Sequence, residues 1–307
     1  MLHVINTIIP IFTVILLGWL ASARGLLPYD LLGPLNRLVY YLAIPAMIFR
    51  AVAAASFHAH FNVYLLIGTV APVIILFAIV LGACLSFRVH RSYCGTFMQG
   101  SFHGNLGYIG LAVAYYFLGT NGFTQAGILA GFLMLVQNIF SVLSLQIFSK
   151  RPDSGHGFLF FIKKVMGNPV VISVIGGIIF SFFELPIPGT IDRTLMIISG
   201  MALPLALLII GASLSLKLIQ SHLRPALTIC ILKLLILPSI GLLIYKFFRI
   251  TPELFLPGLI LLAAPSATVV YIMARELDGS PDLASASISL STLISSATFT
   301  FWLGYFG

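Results

Sequence analysis

Phe102-His103-Gly104-Asn105-Leu106-Gly107-Tyr108-Ile109-Gly110 lies in the middle of a stretch otherwise apolar enough to cross a membrane, and its glycines and asparagine oppose a continuous helix. Glycine gives up more backbone freedom in a helix than other residues. Asparagine competes for backbone hydrogen bonds. The sequence therefore predicts that the helix opens between Gly104 and Gly107. Opened backbone is tolerated in hydrocarbon only where it is buried in protein or lines a wet cavity. Asn105 thus marks a central polar position, because no helix turn satisfies all four bonding sites of its amide.

Outward from this stretch, 60% of the 307 residues are hydrophobic and 8% are charged, with a mean hydropathy of +1.10. An ordinary soluble domain carries about 25% charged residues. The reading is an all-α polytopic membrane protein. Cys84, Cys94 and Cys230 form neither a disulfide framework nor a metal motif and read as packing. The first residues hold no Lys or Arg, so the first apolar run reads as a retained span rather than a secretory signal.

A helix needs about 20 apolar residues to cross roughly 30 Å of hydrocarbon. Such windows fall near 4–22, 33–53, 62–86, 94–117, 123–148, 167–184, 192–215, 225–247, 254–274 and 282–304, which makes ten. With the N-terminus outside, the inner connections hold Arg24, Arg88, Arg91, Lys150, Arg151, Lys163, Lys164, Lys217, Arg224 and Arg275; the outer ends hold Arg50, Arg193, Lys246 and Arg249. This asymmetry sets both termini outside. Most of the formal charge of +8 is then a topology signal, and it argues for no nucleic-acid partner.

The longest polar connection, 150–165, separates residues 1–149 from 166–307, with five windows in each half. Within it, Phe158 to Lys164 has the pattern of a segment lying along the inner interface. A shift of 159 positions lays Gly18 on Gly177, Pro45 on Pro204 and Asn105 on Ala264, beside Pro265. Five is odd, so the second copy enters the membrane from the opposite side. Secondary transporters use such inverted repeats, with their sites where discontinuous helices meet near the midplane.

If the fourth and ninth windows both break, four half-helix ends converge. The halves that begin near Gly107 and Ser266 offer N–H groups and partial positive charge to an anion; those that finish there offer carbonyls to a cation or a lysine. In Ala263-Ala264-Pro265-Ser266-Ala267-Thr268 the proline suits the first turn of a restarting helix. Ser266 and Thr268 add hydroxyls, which otherwise bond their own helix carbonyls. Gln137, Asn138 and Ser141, then Ser287, Ser291, Ser295 and Thr298, recur at helical spacing, either toward the crossing or for small-residue packing.

Lys233 is the one charge well inside a window, roughly 10 Å deep. It binds or balances substrate, neutralises a helix end, or snorkels to the inner surface. His103 titrates as a coupling group or is a hydrogen-bonded structural residue. No Asp or Glu lies deep in any window, so proton coupling would fall on Lys233, His103 or the substrate. Pro45 and Pro204 kink their helices or wall a cavity. His58 and His60 alternate without a third metal ligand, and no nucleophile–base spacing marks an enzyme.

Leu35-Asn36-Arg37-Leu38-Val39-Tyr40-Tyr41-Leu42-Ala43-Ile44-Pro45, Asn105 to Gly110, Gly167-Asn168-Pro169, Ala202-Leu203-Pro204-Leu205-Ala206-Leu207 through Gly211-Ala212-Ser213-Leu214, Ala264-Pro265 and Leu290-Ser291-Thr292-Leu293 resemble the auxin efflux carrier family over essentially the whole chain. The resemblance implies ten helices in two inverted five-helix repeats with crossed broken helices, a core similar to bile-acid symporters and sodium/proton antiporters. It implies a scaffold and homodimer domain from the first, second, sixth and seventh helices, and a mobile domain from the other six. It further implies elevator-type efflux or exchange of a small organic anion. The short central connection suggests a bacterial inner membrane.

Two departures set this chain apart. Ala112 replaces a proline the family often carries, and the asparagine of the family's second crossover falls at Thr268, so plant auxin specificity does not carry over. The expected protein is a carboxylate transporter without metal or other cofactor, with Asn105, Gly104, Gly107, Pro265, Ser266, Thr268, Asn138 and Gln137 around the substrate and Lys233 and His103 for coupling or charge balance. The alternatives are a sodium- or proton-coupled symporter and, more remotely, an intramembrane enzyme or a non-transporting receptor.

Overall fold

The structure, a computed structural model, describes residues 2–54, 62–86, 91–149 and 167–306. His58, His60 and the Phe158–Lys164 segment lie outside the described residues. The described chain is helical, apart from one isolated antiparallel bridge between Gly104 and Ser266. Helix α1 is Leu2–Ala23, and α2 runs through Tyr29–Leu38, a π-turn at Val39–Ala43 and Ile44–Ala53. Helix α3 is Val63–Ser86, α4 is Arg91–Phe102, and α5 is Leu106–Phe148. In the second half, α6 is Pro169–Phe182, α7 Gly189–Ser199, α8 Ala202–Ala212 and α9 Leu216–Ser221. They are followed by α10 (Leu223–Phe247), α11 (Pro252–Ala263), α12 (Val269–Glu276) and α13 (Pro281–Phe306).

Among the described residues seven helices, with α7 and α8 taken together as Gly189–Ala212, are long and apolar enough to cross a membrane, and the protein is an integral, multi-pass membrane protein. The ten windows do not map onto ten such helices, and the reasons are local. The fourth window is divided between α4 and α5, and it joins the fifth inside α5, where Gly119 takes φ 67° and turns the chain with no intervening loop. That left-handed angle is one glycine adopts without a Cβ clash. The sixth window holds a helix of 14 residues, and the ninth is divided into helices of 12 and 8.

Local chemistry explains several boundaries. Asn168 caps α6, its side chain accepting from the N–H of Val170 and Val171, and Pro169 occupies the first turn, where its missing N–H costs nothing. Pro45 follows the π-turn of α2, while α7 and α8 part at Gly200 and Met201, before Pro204. Both interruptions accommodate a proline that cannot donate to the preceding turn. Pro204 is exposed and Pro45 half-buried.

Small residues bring the helices together. A side chain at Gly18 in α1 would collide with the carbonyl of Leu208 in α8, and one at Gly177 in α6 would press on Val52 and on the carbonyl of Phe49 in α2. The two contacts are related by one shift of 159 positions, 18 to 177 and 49 to 208. Elsewhere α3, α10 and α11 meet at Tyr245, which bonds the Thr69 hydroxyl at 2.7 Å and stacks on Phe255.

Candidate functional site

The first break is His103 to Asn105 and the second is Ala264 to Thr268. The first lies slightly earlier than the sequence predicts, because α5 restarts at Leu106 and takes Gly107 into a π-turn. Asn105 causes the restart. Its Oδ1 accepts from Tyr108 N at 3.2 Å, and its carbonyl accepts from the N–H of Ile109 and Gly110.

The two breaks lie side by side. Asn105 N donates to Pro265 O at 2.7 Å, and Ala267 N donates to His103 O at 2.9 Å. Exchanging the strands of this pair carries 103 to 265 and 105 to 267, a shift of 162. Asn105 is therefore opposite Ala267 in kind, rather than Ala264 as the shift of 159 gives. The second half holds three more residues between its packed helices and its break.

Each helix that ends at a break has a side-chain donor on a carbonyl of its last turn. At the end of α4, Gly100 O accepts from Ser266 Oγ at 2.9 Å and Phe102 O from Gln137 Nε2 at 3.0 Å. At the end of α11, Leu262 O accepts from Lys233 Nζ at 2.6 Å. Lys233 is fully buried, so it does not snorkel, and its ammonium lies at the negative end of a helix, where it is stabilising. A Cβ at Gly104 would stand 3.1 Å from Lys233 Cε and Nζ, so that glycine gives the lysine its passage. The π-turn Leu232–Ile236 carries Lys233, and Trp302 Nε1 donates to Leu234 O, the carbonyl left without a helical donor by Pro238.

The sequence-predicted residues separate into two groups. Ser266 is fully buried, with its N–H on Ser291 Oγ and its hydroxyl on Gly100 O, so it braces the second break against α4 and α13. Gln137 is likewise fully buried and braces α4. His103 Nδ1 pairs with Ser141 Oγ at 2.7 Å. Pro265 contributes its carbonyl to the bridge. By contrast, Gly107 and Thr268 are half-exposed, as is Val269, and among the described residues no acceptor meets their backbone N–H groups. The Asn105 Nδ2 group, the Thr268 hydroxyl and the half-buried Asn138 amide also have no partner there.

Sequence reasoning missed two features. Gln99, one turn before His103, is fully buried with Nε2 on Met273 Sδ, and its Oε1, like Gln137 Oε1, has no partner among the described residues. A glutamine in an apolar window was the available signal. Tyr108 reaches Asn36 of α2 with a 2.6 Å hydrogen bond; nothing local in the sequence announces that contact. Chemically, the crossing offers unpaired N–H, amide and hydroxyl donors, and no carboxylate among its described residues. Such a set suits an anion.

Comparisons with known proteins point to membrane transport. A family model described as membrane transport protein matches residues 3–157 and 158–303. A Rhizobium meliloti protein named "Putative malonate transporter" is 24% identical over 98% of this chain and 95% of its own length. An uncharacterized transporter of Methanothermobacter thermautotrophicus is 26% identical over 97% of this chain and 96% of its own length.

Proposed function

The chain belongs to the membrane transport protein family, the auxin-efflux-carrier-like group that its motifs resemble, and from that premise we propose that it moves a small carboxylate across the membrane by alternating access. The observation that carries this reading is the pair of bridged breaks, whose restarting helices leave the N–H groups of Gly107, Thr268 and Val269 without acceptors among the described residues. A carboxylate there meets those donors, the Asn105 amide and the Thr268 hydroxyl. The name of the Rhizobium relative directs attention to short dicarboxylates.

In this reading ten spans form two inverted five-helix halves. The equal spacing of the Gly18–Leu208 and Gly177–Phe49 contacts supports that arrangement. Helices α1, α2, α6, α7 and α8 make a scaffold, through which two copies pair. Helices α3, α4, α5, α10, α11, α12 and α13 make the body that carries the site in an elevator-type movement. The membrane is a bacterial inner membrane with both termini outside.

Lys233 serves this body as a fixed cation on α11. With no embedded carboxylate to hold a coupling ion, efflux or exchange is driven by the membrane potential and the substrate gradients. One charge moving through 100 mV is worth about 2.3 kcal/mol. The test is electrical: purified protein on a solid-supported membrane, challenged with mono- and dicarboxylates, with and without sodium and a pH step. Current from a carboxylate that is indifferent to sodium and pH gradient supports the reading. Current only with an imposed gradient replaces it with a symporter, and labelled-substrate uptake detects electroneutral exchange. Silence in both assays overturns carboxylate transport.

A further inference from the structure

Tyr108 joins the first break to α2. Its N–H is capped by Asn105 Oδ1 at 3.2 Å, and its hydroxyl donates to Asn36 Oδ1 at 2.6 Å. Tyr108 is 6% exposed and Asn36 is half-buried. A phenol hydroxyl so enclosed has no ready substitute when its acceptor leaves, and an unpaired buried donor is unfavourable. In the division proposed above, Asn36 lies on the scaffold and Tyr108 on the moving body. Displacement of one past the other parts this bond.

Other polar contacts cross the same boundary. Thr124 Oγ1 donates to Ala51 O at 3.4 Å, His3 Nε2 meets Phe117 O at 3.1 Å, and Ser215 N donates to Ser289 Oγ at 2.9 Å. The Tyr108 bond is shorter than these and begins on a residue that Asn105 itself caps. It is therefore placed to register what happens at the break.

Resting on the carboxylate-carrier reading, we infer that the Tyr108–Asn36 hydrogen bond is a latch that restrains the empty body, so that the protein exchanges carboxylates in preference to exporting them without return. Hydrogen bonds to an ionised acceptor are roughly twice as strong as those between neutral groups. A bound carboxylate within one turn of Tyr108 supplies the acceptor that Asn36 gives up. The empty body has no replacement and moves with an unpaired hydroxyl. Tyr108 acts here as a positioning residue, through the movement it permits.

The test uses proteoliposomes loaded with labelled malonate, or with whichever carboxylate gives flux, and compares efflux into substrate-free buffer with efflux into buffer containing unlabelled substrate. In the wild type, exchange exceeds net efflux. Tyr108→Phe and Asn36→Leu raise the net-to-exchange ratio by about fivefold, the rate equivalent of one ordinary hydrogen bond. Asn36→Asp retains a stronger acceptor and lowers the ratio. A general packing defect slows both fluxes without moving their ratio. If both removal variants keep ratios within about twofold of the wild type, less than one hydrogen bond is at work and the latch is wrong while the carrier reading stands. Absence of any carboxylate flux in the wild type overturns the carrier reading and the latch with it.

Discussion

The C-terminal ends of α4 and α11 face one another across a single bridge, yet the protein finishes them with different chemistry. At α4 the carbonyls meet neutral donors, Gln137 Nε2 and Ser266 Oγ. At α11 the carbonyl of Leu262 meets the Lys233 ammonium. Neutral braces can be lost singly, because each satisfies one acceptor and leaves little charge behind. A buried ammonium is different: it neutralises the helix end, and without that end it would itself be an uncompensated charge. The restarting ends differ as well. Asn105 caps α5, whereas no side chain caps α12 at Thr268. The lesson is that the two bridged breaks are finished differently, one restarting under an amide cap and the other ending against a fixed positive charge.

The largest expected effect tests the amide. Asn105→Ala removes the unpaired Nδ2 donor together with a cap of about 1 kcal/mol, so carboxylate flux is lost while the protein still elutes as a folded species in detergent. Wild-type flux in that variant would take the first break out of the site. Next, Lys233→Met keeps the length of the side chain and deletes the charge. It leaves Leu262 O unsatisfied, lowering stability by about 1–3 kcal/mol, and flux falls with it; thermal unfolding in detergent and vesicle uptake measure the two.

Gly104→Ala is expected to act more mildly and through the same lysine. Its new Cβ would sit 3.1 Å from the flexible end of Lys233, which has to yield by a few tenths of an ångström. Partial flux and a small fall in melting temperature are the outcome; full loss would mean that the bridge backbone, rather than the lysine, was displaced. The smallest effect belongs to Gln137→Leu. It strips Phe102 O of its donor but also removes Oε1, a buried acceptor without a partner among the described residues. The opposing changes leave stability within about 1 kcal/mol. If this variant is less stable than Lys233→Met, the contrast between a charged and a neutral finish is reversed.

Much of this was legible in the chain because it depended on near neighbours. Glycine and asparagine at 104–107 oppose a helix wherever they stand, Asn168-Pro169 is a helix start by its own geometry, and Lys233 announces itself by charge in an apolar run. The register of the bridge was not legible. A shift of 159 matched the packed glycines, whereas 162 applies at the breaks, because three extra residues intervene and only hydrogen bonds between distant strands fix which atoms pair. Ser266 illustrates the same limit. Its hydroxyl looked available until Gly100, 166 positions away in sequence, came within bonding distance.

By itself, then, the sequence determined a helical membrane protein with two central breaks, a buried lysine and no deep carboxylate, since solvation in hydrocarbon acts on each residue type regardless of its partners. Tertiary structure decided what each polar group does there: Lys233 on Leu262, Gln137 on Phe102, Tyr108 on Asn36, and donors at Gly107 and Thr268 that meet no acceptor among the described residues. Those assignments depend on which acceptors lie within about 3 Å, and only packing of helices remote in sequence brings them that close.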